Sequence, residues 1–221
     1  MFKNIKGAIF DMDGTLIDSL ILWEVIWKKF GNLFCEDENF IPSSEDDKAV
    51  RTMTLVDAMD YIHARYNIGK SGNELLETAN EIISDFYAKE VMLKDGVAEI
   101  LEYLNANGVK MCIASATEKE LIKVAVKHCN IEKYFVNIFS CADIGKGKDE
   151  PDIYLKAMES LGTSAEETCI FEDSHIAICT ADKLGIMTVG IYDKNNYGQD
   201  EMKKIAKYYI DENNTLKSLI K

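Results

Sequence analysis

No run of this sequence is apolar for long enough to span a membrane, and its N-terminus carries no long apolar signal region. Positive charge is in the minority: 25 lysines and arginines face 38 aspartates and glutamates, for a net charge of −13. That balance argues against nucleic acid or an anionic membrane as a main partner. It also requires any anionic substrate to be held by a local positive group, such as a metal ion or a placed lysine. No Cys-x-x-Cys pair occurs among Cys35, Cys112, Cys129, Cys141, Cys169 and Cys179. Several of these lie inside apolar strand-like runs, so they read as buried reduced thiols. Internal repeats and low-complexity segments are absent as well. Together these absences lead to the expectation of a soluble, cytoplasmic protein.

What is present is ordinary in bulk and unusual in one place. At 221 residues, 47% hydrophobic and 29% charged, the chain can form one domain or one core with an insertion. The unusual place is Phe10-Asp11-Met12-Asp13-Gly14-Thr15-Leu16-Ile17-Asp18-Ser19. Residues 3–10 read as a buried strand, which Gly14 ends sharply. Asp11 and Asp13 then emerge at a strand's carboxyl end, where open α/β sheets place their sites. Carboxylates packed this close repel one another and call for a nearby cation.

Residues 19–88 carry helical periodicity and no strand signal. Ser19 to Phe34, Thr54 to Tyr66 and Gly72 to Tyr87 read as helices, with Glu36 to Asp47 as an acidic loop between the first two. From Asp95 onward helices and strands alternate, which predicts a parallel sheet covered on both faces. Strands are expected at Val109–Ala114, Val136–Cys141, Thr168–Phe171, Ile186–Ile191 and Tyr208–Ile210, with a terminal helix last. Thr117 with Glu120, and Ser164 with Glu167, read as capping boxes.

Three later strand ends carry polar residues. Ser115-Ala116-Thr117 offers a hydroxyl and free backbone N–H groups at a helix start, an anion site in principle. Lys146 and Lys148, flanked by glycines before Pro151-Asp152, can reach a phosphate or form a solvated loop. Glu172-Asp173-Ser174 adds two carboxylates after a buried strand, for metal binding or for capping the next helix. Up to four carboxylates can converge, and hard oxygen ligands with a phosphate point to Mg²⁺.

In this order the four motifs resemble the haloacid dehalogenase-like hydrolase superfamily. They are most similar to its helical-cap branch, which includes phosphoglycolate phosphatases and β-phosphoglucomutases. The resemblance implies an α/β fold: a Rossmann-like catalytic core of residues 1–18 and 89–221, with an all-helical cap of residues 19–88 inserted. It implies Asp11 as nucleophile and Asp13 as general acid and base. Asp11, Asp173 and the backbone carbonyl of Asp13 match the Mg²⁺ ligands, with Glu172 acting through water. Ser115 and Lys148 match the groups that hold the phosphoryl, and Gly14 and Thr15 match the tight turn behind the nucleophile. Counting back from Pro151-Asp152 selects Lys148 over Lys146, although Asp149 and Glu150 depart from the usual Lys-Pro-x-Pro-Asp, and Ala177 stands where many relatives have Gly. Ala116 and, from the cap, Trp23, Trp27, Arg51 and Thr52 are candidates to face the substrate.

Asp13 separates this chain from the dehalogenases of the superfamily, which lack a second aspartate. Mutases of the β-phosphoglucomutase type carry a His where Trp23 stands. The expected activity is therefore Mg²⁺-dependent hydrolysis of a small phosphorylated metabolite, by a monomer or weak homodimer. Mutase-like phosphoryl transfer, or a catalytically weak binding or regulatory member of the fold, are the alternatives.

Overall fold

Among the described residues, five α-helices stand between the first strand and the next in the chain. The computed structural model describes residues 2–35, 37–51 and 53–220. Its chain divides into two compact units, Met1–Leu20 with Val91–Lys221, and Ile21–Glu90. Among the described residues the second holds helices and loops but no strand: α1 (Leu22–Phe30), α2 (Ser44–Val50), α3 (Leu55–Tyr66) and α4 (Gly72–Lys89). Its own core gathers Ile26, Trp27, Phe30, Val50, Ala58, Met59, Ile62, Leu75 and Ala79, at the three- and four-residue steps that put side chains on one helix face.

The first unit holds six parallel strands: β1 (Gly7–Phe10), β2 (Lys110–Ser115), β3 (Phe135–Ser140), β4 (Thr168–Glu172), β5 (Met187–Ile191) and β6 (Tyr208–Ile210). Their order is β3-β2-β1-β4-β5-β6. Parallel neighbours require crossovers, supplied by α5 (Val97–Ala106), α6 (Lys119–His128), α7 (Cys141–Ile144), α8 (Asp152–Leu161), α9 (His175–Lys183) and α10 (Gln199–Ile205). After β1 the chain moves outward to β2 and β3; it then returns beside β1 and moves the other way through β4, β5 and β6. The reversal opens a crevice at the carboxyl ends of β1 and β4.

The pleat sorts the core residues by face. Ile9, Cys112, Ala114 and Ile170 pack with Ile153, Tyr154, Ala157 and Leu161 of α8 and Ala177, Ile178 and Ala181 of α9. Phe10 and Phe171, paired in register, point the other way and stack with centroids 4.3 Å apart. Both rings are fully buried, and truncating either costs about 3–5 kcal/mol.

Four expectations need correction. The strand expected over 3–10 begins only at Gly7, because Lys3 and Asn4 turn and the Ile5 N–H closes on the Phe2 carbonyl at 3.0 Å. The loop expected over Glu36 to Asp47 gives way to α2 at Ser44; the Ser43 hydroxyl caps the Asp46 N–H, and three acids occupy the first turn, where the helix dipole favours them. The helix expected from Thr117 starts later, at Lys119, with Glu118 as its N-cap and no side-chain cap. The terminal helix is a single 3₁₀ turn, Leu216–Leu219. The Ser164–Glu167 capping box is present in full, on a 3₁₀ turn.

Candidate active site

β1 delivers Asp11 directly from its buried end, with the Asp11 N–H held by the Phe171 carbonyl at 3.0 Å. The chain then turns so tightly that the Met12 carbonyl accepts from the N–H groups of Leu16 (2.9 Å) and Ile17 (3.1 Å). Gly14 makes this turn at φ 79°. A Cβ there would also lie 2.3 Å from the Asp173 carboxylate, so the position is closed to any side chain. Thr15, fully buried, turns its hydroxyl onto the other oxygen of Asp173 at 3.3 Å.

β4 ends in Glu172 and is followed by Asp173, so the two acids come to the crevice from the strand beside β1. Asp11, Glu172 and Asp173 are all buried, and each offers an oxygen within 4.8 Å of the others. Lys148 reaches into this group: its ammonium donates to Asp11 and to both oxygens of Glu172, at 3.1 and 3.3 Å. Lys146 instead pairs with Asp152 at 3.0 Å. Asp149 and Glu150, the two acids that interrupt the expected motif, are exposed.

One ammonium does not balance three buried carboxylates. Burial raises the Asp11 carboxyl above the usual range, with Asp13 adding to it and Lys148 opposing. Burial and Asp11 push Glu172 well above its ordinary value, against the pull of Lys148. Asp173 is pushed up to about 7 by burial and by Asp11. Burial works to lower Lys148, but Asp11 and Glu172 outweigh it and hold the ammonium well above the ordinary lysine range. The donor set fits a hard divalent cation: oxygen donors only, clustered, buried and in excess of positive charge.

Asp13 stands apart from that cluster. Its carboxylate accepts from the Ser19 hydroxyl and from the Thr117 hydroxyl, each at 2.6 Å. Thr117, read from sequence as a helix cap, spends its hydroxyl here. Ser115 is buried at the end of β2 and accepts from the Thr117 N–H at 3.2 Å, whereas Ala116 is exposed. The crevice thus brings Asp11, Asp13, Gly14, Thr15, Ser115, Lys148, Glu172 and Asp173 to one end of the sheet.

A family model for haloacid dehalogenase-like hydrolases matches residues 8–191. The chain belongs to that family. A phosphorylated carbohydrates phosphatase of Thermotoga maritima is 23% identical over 197 residues, spanning 88% of this chain and 89% of that one. A pyrophosphatase, PpaX, of Oceanobacillus iheyensis is 25% identical over 196 residues, spanning 85% and 84%. The crystal structure of CbbY from Rhodobacter sphaeroides in complex with phosphate shares the fold, with TM-score 0.76 at 18% identity over 98% of this chain and 96% of that one.

In this haloacid dehalogenase-like chain the candidates from the helical unit have partners of their own. Arg51 donates to Asp47 at 2.9 Å, and Asp47 also accepts from the Trp27 indole at 2.7 Å. Trp27 is a core residue of that unit, and Trp23 packs on it with centroids 5.2 Å apart. Thr52 lies outside the described residues. Three residues at the crevice escape the sequence reading as site groups: Ser19, Thr117 and Asn196. Ser19 stands inside the first motif and Thr117 two residues past Ser115, so position alone flags them. Asn196 donates to the Asp173 carboxylate at 2.7 Å from a loop with no local signal. Among the described residues no helix is long and apolar enough to cross a membrane.

Proposed function

We propose that this chain is a phosphatase that hydrolyses a small phosphorylated metabolite, a sugar phosphate or similar monoester, through an aspartyl-phosphate on Asp11. The observation that carries this reading is the division of labour between two carboxylates of one turn. Asp11 is clasped by Lys148 among the buried acids, while Asp13 is aimed separately by Ser19 and Thr117. A binding module has no use for both. The likeness to phosphatases, among them one for phosphorylated carbohydrates, supports the same conclusion.

The chemistry follows from the placement. An Asp11 oxygen attacks phosphorus in line, and the bond from phosphorus to the leaving oxygen breaks. Asp13, entering as the acid, gives its proton to that oxygen. In the second step Asp13, now a carboxylate, takes a proton from water as the water attacks phosphorus. The bond to Asp11 breaks, phosphate leaves, and Asp13 is again protonated. Lys148 and Ser115 hold the phosphoryl oxygens as charge builds on them. Mg²⁺ would be held by Asp11, Asp173 and the Asp13 carbonyl, with Glu172 through water; when bound it neutralises the phosphoryl oxygens. Trp23, standing where mutases of the family carry a His, has no proton to exchange and supports hydrolysis over phosphoryl transfer within a sugar.

The test is a turnover screen over phosphorylated sugars, glycolate phosphate, nucleotides and pyrophosphate with Mg²⁺. Release of phosphate from a monoester by the parent, and its loss in Asp11→Asn, is the expected outcome. No turnover of any monoester would sink the proposal.

A further inference from the structure

The loop between β5 and α10 touches two places that matter and belongs to no recognised motif. At one end, the Asn196 side-chain amide donates to the Asp173 carboxylate at 2.7 Å and to the Asp173 carbonyl at 3.1 Å. Its own oxygen accepts from the Tyr197 N–H at 2.8 Å, which fixes which way the amide faces. At the other end is Asp193, which is buried. It accepts from the Lys94 ammonium at 2.6 Å and from the Asn195 N–H at 2.8 Å, and its carbonyl accepts from the Asn196 N–H at 3.1 Å. Lys94 lies on the segment that re-enters the core after the helical unit. That segment is laced to the outgoing one: the Asp18 N–H bonds the Met92 carbonyl at 2.9 Å, and the Lys94 N–H bonds the Leu16 carbonyl at 3.0 Å.

We infer that Asn196 is a positioning residue for the Asp173 carboxylate, and that the Lys94–Asp193 ion pair holds Asn196 in place. The inference rests on the reading in which Asp173 is a Mg²⁺ ligand. Asp173 is gripped on both oxygens, by Thr15 from the nucleophile turn and by Asn196 from the far loop. One lone pair on each oxygen is thereby spent, and the carboxylate is fixed in rotation while it still has lone pairs for a metal. Partners of this kind orient ligands and tune affinity without touching the ion. The ion pair fastens the loop that carries Asn196 to the Met92–Lys94 segment, itself bonded to the strand-end turn through Leu16.

The test is Mg²⁺ binding to the full chain, followed by isothermal titration calorimetry without substrate. Asn196→Ala should weaken Mg²⁺ binding by about 10- to 100-fold, while the metal-free melting temperature stays close to that of the parent. Lys94→Met should weaken it less. In the double variant the Lys94 change should add less than it does alone, because part of its effect runs through the Asn196 amide and only the rest is its charge acting on Asp173. An affinity for Asn196→Ala within about twofold of the parent overturns the inference, and additive effects overturn the part assigned to Lys94. Should Asn196→Ala fail to fold, Lys94→Met alone decides, and unchanged Mg²⁺ affinity there overturns the inference. A parent that binds Mg²⁺ but cleaves no monoester overturns the phosphatase reading and leaves this one standing. A parent that binds no Mg²⁺ overturns this one.

Discussion

Two of the places where the protein buries carboxylates treat them in opposite ways. In the helical unit, Asp46 accepts from the hydroxyls of Tyr61, Tyr66 (2.5 Å) and Ser43 (2.7 Å), with Arg65 at 3.5 Å. Those donors, Tyr61 first, hold its carboxyl well below the usual range. In the core, burial raises Asp11, Glu172 and Asp173, and one ammonium, that of Lys148, donates to Asp11 and Glu172. The first arrangement is a satisfied network, which fixes packing. The second is crowded, which costs stability and is kept where chemistry or a cation needs it. A buried acid alone therefore says little about function; whether its charge is balanced says much.

The sharpest way to break that contrast is Asp11→Asn. If Asp11 is the nucleophile, turnover should fall by about 10⁴-fold or more, as for loss of other covalent nucleophiles. Because one of several repelling carboxylates is neutralised, the metal-free melting temperature should hold or rise. A drop comparable to that of Asp46→Asn would erase the distinction between the two sites. Asp13→Asn comes next, with kcat lowered by about 10²- to 10⁴-fold, the usual worth of a general acid. Measuring kcat for leaving groups of different pKa adds a check: good leaving groups should suffer least. Thr117→Val is smaller. It removes one of the hydrogen bonds that aim Asp13, and about 1 kcal/mol, or roughly fivefold in kcat, is expected. Mg²⁺ affinity should change little, since Thr117 bonds the Asp13 carboxylate and neither the Asp13 carbonyl nor the clustered acids.

Local pattern carried much of this into view. The apolar run before Asp11, the helical steps of residues 19–88 and the later alternation all follow from periods of 3.6 and 2 read within short windows. Boundaries were less legible. Phe2 and Ile5 are buried as strand residues would be, yet a turn lies between them, so burial extended the expected strand backward. The acids after Ser43 read as a loop by charge alone, and the Ser43 cap makes them a good first turn. Thr117 had a plausible local role, and a bond to Asp13 across 104 residues took its hydroxyl instead. Asn196 and Lys94 could not be found this way at all. Their partners lie 23 and 99 residues off, and nothing in the flanking sequence distinguishes them from solvated loop residues.

The smallest effect expected is the most specific to the helical unit, and it concerns pH. The folded-state pKa of Asp46 is depressed, so the stability it contributes is fully present above the unfolded value near 4 and drains away as pH falls through the folded one. Tyr61 is raised, first by its hydrogen bond to Asp46, so its contribution is present below about 10 and lost as pH climbs past that. The unit should therefore be steadiest between those limits and soften on the acid side. Both tryptophans of the chain, Trp23 and Trp27, lie in this unit, so their fluorescence follows it and not the core. Trp27 is well placed to respond, because its indole donates to Asp47, the residue next to Asp46. In an acid titration the parent should show a fluorescence transition below the ordinary carboxylate range. Asp46→Asn should start from a lower melting temperature and lose much of the acid slope, because the group that titrates is gone. An unchanged slope would mean that other carboxylates drive the transition, and the satisfied half of the comparison would then rest on geometry alone.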